Sequence, residues 1–221
     1  MAEVGNMTIE DARALVSNRS LWPHVRDFLW NFAPSIHESW IADKFGDQAS
    51  RHPALLASGR TGRFILDSLG VEPCFHTFPA DDGSRILLLD GTTLESVVKW
   101  LGALACADAL RRVTSGTAVR ELKSSLSGVY PEVFGYTAYF GGLEALKCGS
   151  DEVERTGHAI LMGGLSSIPA PLMHRFRLKL PKGMADMESP DAKVSRFPNF
   201  QTSILKLLKL KFPEAYRLCC S

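Results

Sequence analysis

Apolar residues recur every three or four positions along most of this chain, the period of helices that bury one face. Thr8-Ile9-Glu10-Asp11 opens the first such pattern, with Thr8 placed as N-cap and Ala12, Leu15 and Val16 on the apolar face. Trp22, Val25, Leu29 and Phe32 carry the next. Pro34 breaks that run, and Ile36, Trp40 and Ile41 begin a third face that ends near Gly46. Residues 53–69 predict another helix, weakened by Gly59 and Gly62. "VEPCFHTFPADDGSR", residues 71–85, reads as a loop from its prolines and its Asp-Asp-Gly. Residues 86–90, "ILLLD", fit either a short buried strand or the entry to a helical core, and periodicity does not separate the two.

The strongest pattern is residues 92–113, "TTLESVVKWLGALACADALRRV". Thr92 to Glu95 has the form of a capping box, and Glu95 and Lys99 form an i,i+4 pair in the favoured order. Leu94, Val97, Val98, Leu101, Leu104 and Ala105 make the main stripe. From Trp100 to Ala107 the helix is apolar almost all round, which predicts burial on most sides. Arg111 and Arg112 close it, where the helix dipole favours cations.

A second helix follows on Val119, Leu122 and Leu126, with Arg120, Glu121 and Lys123 outward and Gly128 as the stop. "YPEVFGYTAYFGGLEAL" predicts a third, with Tyr130, Phe134 and Tyr139 on one face. Residues 150–167 predict a fourth, with Ser150 as N-cap, acids in its first turn, and Pro169 and Pro171 as its end. Residues 172–180, "LMHRFRLKL", fit a short strand or a helix. The expected fold is therefore mainly α, one globular helical domain with at most a few short strands. Its parts are a helical core over 1–180 with an aromatic-rich N-terminal portion, a loop or linker over 181–198, and a basic amphipathic helix over 199–221. That last helix carries a possible kink at Pro213.

Composition changes this picture little. The 221 residues are 45% hydrophobic and 22% charged, a length that can build a sizeable core. The net charge of +1 does not suit a dedicated nucleic-acid binder. Cys74, Cys106, Cys148, Cys219 and Cys220 are odd in number and form no C-x-x-C, which argues for reduced thiols over a disulfide framework or a zinc site. The N-terminal residues lack the basic and apolar regions of a secretory leader, and no window matches a membrane span, so a cytoplasmic location is expected.

Candidate chemistry is sparse. "SGRTGR" at 58–63 and "MGGLSS" at 162–167 lack the lysine, the spacing or the preceding strand of a phosphate-binding loop. The six histidines are scattered, with no pair at i,i+4. Cys148, beside a helix start, is the one thiol placed for activation, and a buried small hydrophobe is its simpler reading. Asp108 is open to a role as a buried acid, but pairing with Arg111 or Arg112 costs less. Lys206, Lys209 and Lys211 stand among Ile204, Leu205, Leu207, Leu208 and Leu210, a pattern that fits self-packing, a partner's groove or a membrane surface. No catalytic residue, metal ligand or cofactor is expected.

Several of these features occur together in one family. Leu87 to Leu89, Trp100 to Gly102, Arg111 with Arg112, and Val119 to Leu126 resemble the central region of the K component of bacterial type III secretion sorting platforms, the YscK/SctK family. The tail "LLKLKFPEAYRLCC" is similar to that family's basic amphipathic end, and the rhizobial branch from nodulation gene clusters offers the nearest likeness. The resemblance implies a non-enzymatic helical adaptor at the cytosolic face of the inner membrane. Its implied partners are the D-type inner-membrane ring protein and the Q-type pod protein, and through the pods the L-type stator and the export ATPase. Arg111, Arg112, Lys206, Lys209 and Lys211 are the expected partner contacts. A small helical enzyme using Cys148 or Asp108, or a peripheral membrane protein using residues 199–212, are the alternatives.

Overall fold

The computed structural model describes residues 20–47, 56–72, 78, 84–137, 140, 150–185 and 200–220. Among them there are helices and no strand, as the periodicity predicts. Their contacts fall into two compact units whose segments interleave along the chain. One comprises Met1–Gly91, Ile168–Lys182 and Leu207–Ser221, and the other Thr92–Ser167 and Gly183–Lys206.

The first unit begins with α1, Trp22–Trp30. Pro23 sits in its opening turn, where a missing amide hydrogen costs nothing. Val25, Phe28 and Leu29 bury one face, and Phe28 meets Phe32 and Phe78 edge-on at 5.7 and 5.9 Å. Pro34 does not simply end the run. It lies in a 3-10 turn, Ala33–Ser35, that leads to α2, Glu38–Phe45. The Ser39 amide donates to Nδ1 of His37 at 3.1 Å, capping α2, and Gly46 closes it at φ 83, a conformation that suits glycine. α3 spans Gly59–Ser68. Gly62, which looked like a weakness, allows close approach: a Cβ there would lie 2.8 Å from the Leu56 carbonyl oxygen.

Two ambiguous segments also belong to this unit. Residues 86–90 are neither strand nor α-helix; a 3-10 helix, Ser84–Leu88, buries Ile86, Leu87 and Leu88. Residues 172–180 lie mostly in α8, Ala170–Leu178. Pro169 and Pro171 therefore begin this helix rather than merely ending the one before.

The second unit is built on α4, Gly91–Ala105, which buries Leu94, Val97, Val98 and every residue from Trp100 to Ala105. α4 begins at Gly91, so Thr92 lies inside its first turn and not at the cap. The expected single helix over 92–113 pauses at Cys106 and resumes as α5, Ala107–Arg111. The pause is mild, because the Cys106 amide still bonds the Gly102 oxygen at 2.8 Å. α6 spans Gly116–Ser125, with Leu122 and Leu126 buried and Gly128 at φ 78.

The helix expected over 130–146 is, in its described part, a 3-10 turn, Glu132–Gly135, that follows Pro131 and ends on a glycine. Tyr139 lies outside the described residues, as do Thr8 to Val16 and Cys148. α7 spans Ser150–Gly164. Within the segment expected as linker, Lys182–Ala185 form the short α9, and 186–198 lie outside the described residues. The tail is two helices, α10, Phe200–Lys211, and α11, Pro213–Cys219, broken at Phe212.

α4 and α7 touch backbone to backbone. A Cβ built on Gly102 would overlap the Val153 carbonyl, and one on Gly157 would overlap the Val98 carbonyl. Lys99 spans the same pair of helices to reach Glu154 at 3.5 Å.

Candidate interaction surface

Among the described residues, those singled out from sequence do not converge on one reaction centre. Arg111 is exposed, yet tied down locally. It donates to Thr137 Oγ1 at 2.8 Å, to the Phe134 oxygen at 3.2 Å and to Asp108 at 3.4 Å, and its guanidinium lies over the Phe134 ring. Asp108 is therefore Arg111's neighbour on the surface and not a buried acid. Arg112 is exposed beside them. On α10, Ile204, Leu207 and Leu208 are buried while Lys206 and Lys209 point outward. Lys206 lies 6.0 Å from the Phe140 ring and Lys209 5.9 Å from the Tyr216 ring, and Lys211 is half-buried. Cys219 is buried and Cys220 exposed. No group of three or more His, Cys, Asp and Glu among the described residues could hold a metal ion. No helix among them is long and apolar enough to cross a membrane.

What sequence reasoning missed lies on α8 and just beyond it. Arg175 and Lys179, one helical turn apart, are 3% and 4% exposed. Arg175 donates to the carbonyl oxygens of Phe28 at 3.2 Å and Glu72 at 2.8 Å. Lys179 Nζ donates to those of Leu87 at 2.8 Å and Leu89 at 2.9 Å and sits 4.9 Å from the Phe28 ring. Burial lowers its pKa from 10.5 to about 7, against the attraction of Asp90, which raises it. An amine near neutrality can serve as a nucleophile, but this one faces carbonyls and lines neither cavity described next. Its geometry is that of a staple.

Two recesses open on this same unit. One, of about 340 Å³, is lined by Trp30, Phe32, Gly62, Arg63, Leu66 and Arg175, among others. The second, of about 370 Å³, is lined by Glu72, Pro171, Met173, His174 and Arg177, and Val71 lines both. Trp30 is 58% exposed and Phe64, beside Arg63 on α3, is 61% exposed. Trp30 falls in the aromatic-rich N-terminal portion, and the helical pattern does not single it out. Its outward pose follows from its place one position past the buried Phe28 and Leu29.

A helical protein whose described residues pair recesses of mixed polarity with exposed Trp and Arg has the side chains of a binding surface. Residues 25–130 match the family model described as YOP proteins translocation protein K (YscK). That span is just under half of the chain, and it supports membership of the YscK family. It runs from α1 past α6, taking in Trp30, α3 and α4, and stops before α7, α8 and the tail. No curated protein matches the chain, and no solved structure does.

Proposed function

We propose that this protein is a non-enzymatic adaptor of a bacterial type III secretion apparatus. In this reading it sits at the cytosolic face of the inner membrane and joins the D-type ring protein to the Q-type pods. Through the pods it reaches the L-type stator and the export ATPase. The observation that carries the reading is the match of residues 25–130 to the translocation protein K family. The rhizobial, nodulation-cluster branch is the one we assign, on the central helix and the tail. Arg111, Arg112, Lys206, Lys209 and Lys211 are the charged contacts we assign to partners. Arg111 has the most to lose by such service, since it already holds Thr137 and the Phe134 carbonyl.

Deletion of the gene followed by complementation tests this directly. Secretion should stop and return with the gene, and the tagged chain should co-purify with Q-type and D-type proteins. Unimpaired secretion without the gene, together with no recovery of either protein, would end the proposal.

A further inference from the structure

We infer that the Trp30 face of the first unit is a docking surface for an acidic amphipathic segment of another protein. Three observations converge on it. The first is shape: two recesses of about 340 and 370 Å³ share Val71, each at the small end of the ~300–1,000 Å³ typical of binding pockets. Such recesses take side-chain anchors. The second is the rim. Trp30, which lines the first recess, is more than half exposed, although α1 has a buried face available for apolar residues. Exposed aromatics beside arginines are the composition of interface hot spots.

The third is charge. Among the described lining residues the cations are Arg63, Arg175 and Arg177, with His174, and the carboxylate is Glu72 alone. Asp67 shares Arg63 at 3.0 Å from outside the recess, and Arg60 adds an exposed cation on the same helix. Arg177 is exposed on α8. A partner that places aliphatic or aromatic side chains in the recesses and carboxylates between them satisfies both features. A membrane surface would call for a continuous apolar face, and a nucleic acid for a basic stripe; the recesses provide neither. The inference adds a surface to the adaptor reading and rests on that reading only for the identity of the natural partner.

The test uses the full chain and a labelled synthetic peptide of about 18 residues, five helical turns. It carries Leu and Trp at helical spacing on one face and Glu on the other, and its twin replaces Glu with Lys. Binding is read by fluorescence anisotropy. The Glu peptide should bind, and the Lys peptide should bind at least about 10-fold more weakly. Trp30→Ala and Arg177→Glu should each weaken the Glu peptide about 10-fold or more with circular dichroism unchanged; Trp30→Ala also gives up a ring contact with Trp22, so the exposed Arg177→Glu is the variant whose melting should match the parent. Equal binding of the two peptides, or indifference to both substitutions, overturns the inference. So does loss of phosphatidylserine-vesicle or single-stranded RNA binding on the same substitutions with no peptide binding, which would give the face to another polyanion. Peptide binding that persists while secretion survives gene deletion leaves the surface standing and removes the adaptor reading.

Discussion

The two units hold their helices together by opposite means. In one, α4 and α7 meet through Gly102 and Gly157, with no side chain between the backbones. In the other, α8 is fastened by Arg175 and Lys179, whose long side chains reach carbonyl oxygens of α1, of the residues after α3, and of Leu87 and Leu89 in and just after the Ser84–Leu88 turn. Close backbone packing gains dispersion at every atom but leaves no room to adjust. A buried cation tolerates some movement, yet it must be desolvated, and its contribution depends on its protonation state. The difference teaches where each region is fragile: the glycine crossing to volume, both staples to loss of donors, and Lys179 also to pH.

The largest effect should come from Gly102→Ala or Gly157→Ala. A methyl at either site collides with a backbone carbonyl that no rotamer can move aside. Overpacking of this kind should cost about 3 kcal/mol or more, read from urea unfolding. If either variant unfolds like the parent, the backbone contact between α4 and α7 is wrong, and half of the comparison goes with it.

Next is Lys179→Met, which keeps the chain's bulk and removes both donors, leaving the Leu87 and Leu89 oxygens without them. Roughly 1–3 kcal/mol should be lost. The pH dependence is more telling. The folded amine releases its proton near pH 7 and the unfolded one near 10.5, so between those values the unfolded state binds more protons. Lys179 therefore makes stability rise with pH across that window, by up to about 1.4 kcal/mol per unit. The gap between parent and Lys179→Met should widen from pH 7 to pH 9. A constant gap would mean that the amine titrates alike in both states.

Smaller is Arg111→Ala, which removes surface bonds to Asp108 and Thr137 and a ring contact. About 1 kcal/mol or less is expected, because exposed charges are well solvated. Smallest is Gly116→Ala, at a glycine that faces open space. It should change stability by no more than about 0.5 kcal/mol. The contrast between Gly116 and Gly102 sharpens the comparison, since both are glycines of helices in the same unit.

Much of the helical frame can be read from local pattern. The buried faces of α1, α4, α6 and α10 appear as apolar residues three and four apart, and the Asp108–Arg111 pair follows from helix spacing alone. The prolines were legible as punctuation but not in direction: Pro169 and Pro171 open α8 and Pro213 opens α11, because proline fits a first turn as well as it ends a last one.

The sequence by itself therefore determined that the chain is helical, where its central strut lies, and the central pattern that likened it to the YscK family. Only the tertiary structure decided which glycines carry backbone contacts and which cations turn inward. Gly102 and Gly116 look alike in a list of residues, and so do Arg175 and Arg177. The reason is distance along the chain. Helix periodicity depends on neighbours three or four residues away, whereas the oxygens that hold Arg175 and Lys179 lie between 90 and 147 residues away. A charge is buried where such acceptors await it, and no local pattern announces where that is.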